Sequence, residues 1–279
     1  MHSDTTTKAG AASGEAGEVL LSVQGLSRSF AGPDGERLVL GGIDLEVRRG
    51  EFLCVVGPSG AGKTTFLRCV AGLMRASGGA VLLDGQTVES PPPALAVVFQ
   101  DYSRSLMPWM SVAQNVMLPL RSKGLPKRER RERAREALDA VGLVGSAAQY
   151  PWQLSGGMQQ RVAIARALAY EPEALLMDEP FASVDAQTRA DLEDLILGVR
   201  ERFGVTVILV THDIDEAVYL GDTVVVLSGT PTRVRATITI GLGRHRDQLT
   251  TKALPRFGEL RTRILGLIRK EASPAPEAS

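Results

Sequence analysis

The chain has 279 residues, and its 32 Lys and Arg balance 32 Asp and Glu, so no net field draws it to nucleic acid or anionic lipid. Apolar residues make up 44% and aromatics only 5%, an ordinary globular composition with few rings for stacking on bases. Two cysteines, Cys54 and Cys69, lack metal-ligand spacing and exclude a disulfide framework; no apolar run reaches the roughly 18 residues of a membrane helix.

Residues 1–17 are small and polar, without the apolar core of a secretory signal, and read as a disordered tail. VLLSVQGLSRSF (19–30) and LVLGGIDLEVRRG (38–50) read as two strands of a small antiparallel sheet, with AGPDGER (31–37) as their turn. EFLCVVG (51–57) is a short apolar run of the kind found in strands buried on both faces. A Gly-rich turn and a helical pattern follow it, giving half of a βαβ unit. Further strands are expected at 94–100, 174–180, 205–213 and 222–228, with helices at 126–141, 157–170, 186–203 and 214–220. That alternation predicts an α/β fold with a mostly parallel sheet, whose ligands bind at the carboxyl ends of the strands. Gly57, Gln100, Asp178 and His212 all fall at such ends.

The basic run RSKGLPKRERRERAR (121–135) has two readings, a site for an anionic partner or the solvated face of an amphipathic helix that buries Ala134, Ala137, Leu138 and Val141. The solvated face is preferred. The end of the chain reads as a short basic helix and a Pro/Ala/Ser tail.

GPSGAGKTT, Gly57 to Thr65, matches the phosphate-loop pattern G-x-x-x-x-G-K-[ST]. Glycines let backbone N–H groups turn toward phosphate oxygens, and the helix beginning near Lys63 adds its positive end. Lys63 supplies a point charge for the β and γ phosphates, Thr64 a hydroxyl for Mg²⁺, and Thr65 a reach to the next phosphate. In ALLMDEP an apolar strand delivers Asp178 to its tip, where phosphate-loop NTPases hold Mg²⁺. Glu179 follows, placed to orient or deprotonate an attacking water; an acid-rich helix start is the alternative reading of this pair. LSGGMQQRVAIARALAY (154–170) sets Ser155 and two glycines before a helix with Val162, Ala165, Leu168 and Ala169 on one side. That is a second loop-then-helix anion site or an ordinary serine cap. His212 ends an apolar strand and either bonds a γ phosphate or is structural.

Taken together these pieces resemble the ATP-binding subunit of ABC transporters over about residues 19–230. GPSGAGKTT resembles Walker A, ALLMDE resembles Walker B with its glutamate, and LSGGM resembles the ABC signature, with Met158 where Gln is commonest. Gln100 resembles the Q-loop glutamine, Ser183-Val184-Asp185 the D-loop and His212 the switch histidine. The resemblance implies a P-loop NTPase of the ABC ATPase type, with a mostly parallel core sheet, a small antiparallel β subdomain and a helical signature subdomain. It divides the chain into an ATP-binding domain at 18–240, with the helical part at about 101–165, and a C-terminal basic helix and tail at 241–279.

The resemblance also implies ATP and Mg²⁺ as cofactors. Nucleotide contacts fall to Phe30, which would stack on adenine, and to Gly57, Pro58, Ser59, Gly60, Ala61, Gly62, Lys63, Thr64, Thr65, Gln100, Ser155, Gly156, Gly157 and Asp185. The ion falls to Thr64, Gln100 and Asp178, and catalysis to Glu179, His212 and Lys63. It further implies a head-to-tail homodimer, two transmembrane permease subunits, an extracytoplasmic solute-binding protein and a place on the cytoplasmic face of the membrane. QDYSRSLMPWMSVAQNVMLPL resembles the importers of nitrate, sulfonate, taurine and related anions, with an aliphatic sulfonate expected first. Trp109 within it touches a membrane subunit or packs in the core. Of two rival classes, a non-transport ABC ATPase would carry a second ATP domain or a long coiled-coil insert, neither of which the sequence shows, and a phosphate-loop kinase would leave LSGGM and His212 without a task.

Overall fold

The computed structural model describes residues 17–32, 35–101 and 105–269. The expected tail at 1–17 lies outside them except for Gly17, as does the end of the chain beyond 269. No helix among the described residues is long and apolar enough to cross a membrane.

β1 (Val19–Gly32) and β2 (Gly35–Arg48) pair antiparallel, and β4 (Gly78–Leu83) and β5 (Gln86–Thr87) extend the sheet in the order β2-β1-β4-β5. The expected turn at 31–37 is a correction. Pairing continues through Ala31↔Glu36 to Gly32↔Gly35, so strand structure takes in most of that segment.

The second sheet has the order β10-β9-β3-β8-β7-β6. β3 (Phe52–Val56), β6 (Leu95–Val98), β7 (Ala174–Asp178), β8 (Thr206–Val210) and β9 (Thr223–Leu227) are parallel; β10 (Val234–Thr239) closes one edge antiparallel. In β3 the side chains of Phe52, Cys54 and Val56 enter one core and Leu53 and Val55 the other, the two-residue alternation of a pleated strand covered on both faces. One core lies between this sheet, α1 (Lys63–Val70) and the antiparallel sheet. The other lies under α2 (Val112–Met117), α3 (Lys127–Ala140), α4 (Gly156–Ala169), α5 (Ala186–Phe203), α6 (Ile214–Leu220) and α7 (Pro255–Arg269).

α3 buries Ala134, Ala137 and Leu138, with Val141 just beyond, on the face expected from its spacing. α4 differs from the one-sided helix expected: Ala163, Ile164 and Ala167 are buried along with Val162, Ala165, Leu168 and Ala169. α3 and the parallel sheet enclose it from different sides, so an apolar stripe widens to nearly the whole circumference. α7 is more than a basic appendage. Its Phe257, Leu260 and Ile264 are buried, and Arg261 Nε pairs with Asp215 Oδ1 of α6 at 2.8 Å. Trp109 is not core packing; it is 70% exposed.

Candidate active site

β3 delivers the chain into the loop at Gly57, and the loop turns into α1 at Lys63. Gly60 and Gly62 have φ of 76° and 72°, the left-handed region that glycine enters without penalty. A Cβ on Gly62 would also sit 2.8 Å from Val39 Cγ1, so no other residue fits there unchanged. The Ala61 N–H closes the turn on the Pro58 carbonyl at 3.2 Å. Lys63 is 7% exposed and its Nζ donates to the Gly57 and Pro58 carbonyls, each at 3.0 Å. Burial pushes its ammonium below the usual lysine value, against the opposing pull of the Glu179 and Asp178 carboxylates. A cation held this way gains from any anion that enters the loop.

Asp178 ends β7 at 5% exposure, and Thr64 Oγ1 donates to its Oδ1 at 3.3 Å. Burial raises its carboxyl above the ordinary range; the Thr64 hydrogen bond and the Lys63 charge only partly oppose this. A buried carboxylate beside a hydroxyl, short of positive charge, is a donor pair suited to a hard divalent cation. Thr64 and Asp178 therefore fit Mg²⁺. Gln100 stands elsewhere: its Nε2 lies 3.5 Å from Glu179 Oε2, not against Thr64 or Asp178.

Glu179 has φ of 44°, rare for a residue with a side chain. Its N–H donates to the Val210 carbonyl at 2.8 Å, which fixes the peptide against β8. The same Oε2 that faces Gln100 lies 3.1 Å from His212 Nδ1. Strands β6, β7 and β8 thus carry Gln100, Glu179 and His212 from three distant parts of the sequence to one carboxylate.

The LSGGM stretch is built differently. Ser155 caps α4, its Oγ accepting the Met158 N–H at 3.3 Å, while Ser155 and Gly156 themselves are exposed. Gly157 is buried because a Cβ there would stand 2.4 Å from Thr188 Cγ2. Asp185 caps α5 by accepting the Thr188 N–H at 2.9 Å and hydroxyl at 2.7 Å, bonds that lower its carboxyl below the ordinary range. Asp185 thus acts through Thr188 as a cap, and the signature and D-loop meet at the Gly157–Thr188 contact. Phe30, half-buried on β1, has the Arg28 guanidinium 4.7 Å above its ring.

Sequence reasoning missed a brace on the loop. Thr232, fully buried just before β10, donates its hydroxyl to the Ala61 carbonyl, and Thr230 Oγ1 donates to Gly60 O at 3.3 Å. It also missed Thr211 and Glu216 behind His212. The Thr211 hydroxyl donates to Glu216 Oε2 at 2.6 Å.

The family model described as ABC transporter matches residues 40–182, from β2 through the Walker B strand and Glu179. The chain belongs to the ABC transporter family. It is an ATP-binding subunit of that family, an ATPase. Among its curated relatives is an uncharacterised ABC transporter ATP-binding protein of Methanocaldococcus jannaschii, 48% identical over 91% of this chain and 93% of the relative. The nitrate import ATP-binding protein NrtD of a Synechocystis strain is 40% identical over 92% of this chain and 98% of its own length. An aliphatic sulfonates import ATP-binding protein, SsuB 2 of Burkholderia lata, is 45% identical over 87% of this chain and 85% of its own. Among solved structures, the dimeric, post-hydrolysis state of the ATP-binding cassette MJ0796 bound to ADP and Pi superposes with a TM-score of 0.69 at 31% identity, covering 79% of this chain and 99% of that one.

Proposed function

We propose that two copies of this chain pack head to tail and grip each ATP between Gly57–Thr65 of one copy and Ser155–Gly157 of the other, and that the cycle powers import of a small anion. The observation that carries this is the division of labour within one chain. Lys63, Asp178, Glu179, Gln100 and His212 converge, while the Ser155 helix start is capped, exposed and turned to solvent. The dimeric cassette with ADP and Pi supports the pairing.

In this reading the N–H groups of Gly57, Ser59, Gly60 and Gly62 wrap the β phosphate, the Ala61 N–H being held by the Pro58 carbonyl. Lys63 leaves its two carbonyls for the β and γ oxygens, and Thr65 reaches the α phosphate. Phe30 stacks on adenine. Thr64 and Asp178 would hold Mg²⁺, with Gln100 as a further ligand; the ion, when bound, would neutralise phosphate charge. Glu179 accepts a proton from the attacking water and His212 donates to the γ phosphate. The partner's Ser155 helix end completes the charge match, and Asp185 holds that end in place. Closure and reopening are passed through the Gln100 segment and exposed Trp109 to two permease subunits at the cytoplasmic face of the membrane. An extracytoplasmic solute-binding protein delivers the solute.

Aliphatic sulfonate is the first choice of solute, supported by the SsuB 2 match and the 100–120 segment; nitrate is second, supported by NrtD. The Glu179→Gln protein tests the core of the proposal. With MgATP it should form a stable dimer holding two nucleotides, with turnover reduced by about a hundredfold or more. A monomer that transfers phosphate to a small acceptor overturns it. Growth on a sulfonate as sole sulfur source, compared with growth on nitrate as sole nitrogen source, with and without this subunit, separates the two solutes.

A further inference from the structure

Between β9 and β10 the chain makes a tight turn from which Thr230 and Thr232 reach the phosphate loop. Ser228 closes it: its N–H donates to Arg233 O at 2.9 Å, and its Oγ accepts the Arg233 N–H at 2.8 Å. The turn is tied to β2 through backbone, Thr232 N–H to Val39 O at 2.8 Å and Gly41 N–H to Thr232 O at 2.8 Å. The Thr232 hydroxyl is therefore spare for the fold. It is fully buried and spans 171 positions to donate to the Ala61 carbonyl. Exposed Thr230 does the same for the preceding carbonyl, Gly60 O, at 3.3 Å.

In a trans peptide the C=O and the following N–H point in opposite directions. A carbonyl held outward therefore sends the next N–H inward. A carbonyl left free to turn inward would place a lone pair where a phosphate oxygen must sit. We propose that Thr232, assisted by Thr230, is a positioning residue of the phosphate loop: Thr232 holds the Ala61 carbonyl out of the cradle and so aims the Gly62 N–H at the anion, while Thr230 steadies the neighbouring Gly60 carbonyl, whose following N–H is tied to Pro58 O. The side of Gly62 facing away from the cradle is already filled by Val39, Leu40 and Thr232 Oγ1, so Thr232 sets the loop from behind without touching nucleotide. This role rests on the reading of Gly57–Thr65 as the triphosphate cradle.

The test compares Thr232→Val, Thr232→Ser and Thr230→Val with the unaltered full chain, measuring ADP affinity by calorimetry, ATP KM and kcat, and the melting temperature of the nucleotide-free protein. Valine keeps the shape and the backbone ties and removes only the hydroxyl. Loss of one such bond predicts that Thr232→Val weakens ADP binding and raises ATP KM about fivefold, while Thr232→Ser restores both. kcat should stay within about twofold, since the chemistry is untouched. Wild-type ADP affinity in Thr232→Val overturns the proposal. If Thr232→Val melts early enough to obscure its affinity, Thr230→Val, at an exposed position, decides: about twofold weaker ADP binding supports the role and unchanged binding overturns it. Lys63→Ala separates this from failure of the parent reading. If Lys63→Ala binds ADP as well as the unaltered chain, the loop is not the cradle. Loss of binding there alongside wild-type affinity in Thr232→Val removes the positioning role alone.

Discussion

The starts of α1 and α4 use similar parts, glycines ahead of a helix N-terminus, and end in opposite states. At α1 the glycines fold the loop onto itself, Lys63 is buried against two of its carbonyls, and a neighbouring turn holds the loop from outside. At α4 a serine caps the helix through the Met158 N–H, and Ser155 and Gly156 remain on the surface. A helix end that is exposed and already capped has little pull on an anion by itself. One that closes a loop around a buried cation has a great deal. The comparison teaches that one chain carries a nearly complete anion site and a separate fragment whose value depends on what is placed opposite it.

The sharpest way to break that asymmetry is Lys63→Ala. It removes the cation buried at the cradle, so hydrolysis should fall by about a hundredfold or more and ATP affinity with it. The fold should be unharmed, because burial already disfavours that charge. Calorimetric ATP binding and a melting curve check both halves; turnover at the original rate would mean the loop does not hold the phosphates.

Ser155→Arg tests the fragment. Ser155 is exposed and far from its own chain's Lys63 loop in the proposed reading, so the isolated subunit should bind ATP within about twofold of the original, while hydrolysis, which needs the second copy, should drop at least tenfold. Loss of binding in the monomer would place LSGGM in its own chain's pocket. Gly157→Ala comes next in size. Its Cβ would meet Thr188 Cγ2 at 2.4 Å, and Thr188 is pinned by Asp185, so the α4 start must shift. Overpacking of this kind costs about 1–3 kcal/mol. A thermal melt reads the cost, and an activity loss larger than the melt explains would show that the shift reaches the partner-facing atoms.

Much of this was legible before any coordinates. β3, β7, β8 and β9 are apolar runs because both faces of their sheet are covered, and the first three lead directly to Gly57, Asp178 and His212. Helices α3, α5 and α6 kept their expected bounds to within a residue or so. What stayed hidden was of two physical kinds. β10, VRATIT, is an edge strand with one side in solvent, so its composition does not separate it from a loop. The Thr232 brace and the Gly157–Thr188 contact join elements far apart in sequence, and a threonine leaves no pattern that says which carbonyl or methyl it will meet. The Gln100 side chain was placed correctly at a strand end but on Glu179 rather than the ion pair of residues, a matter of rotamer that spacing does not encode.

The smallest expected effect probes what links the two half-sites. The first turn of α5 touches both: Thr188 lies against Gly157, while Arg189 reaches Asp213 Oδ2 at 3.1 Å and Glu216 Oε1 at 3.6 Å behind His212. Glu216 is 4% exposed, and burial, helped by Asp213 and Glu193 and opposed by the Thr211 hydrogen bond and Arg189, raises its carboxyl to about 7. The folded state therefore holds this proton more tightly than the unfolded chain does. Its stabilising contribution is complete below the ordinary glutamate range and is lost as pH rises toward about 7. Glu216→Gln keeps an acceptor for the Thr211 hydroxyl and removes the buried charge. It should leave stability near pH 5 almost unchanged and raise it at pH 8 by about 1–2 kcal/mol, part of the full gain being offset by the lost Arg189 attraction. Denaturant melts at the two pH values measure this. A variant less stable at pH 8 would show that Arg189 pairing outweighs burial, making the link between the half-sites an ion pair rather than a neutral buried carboxyl.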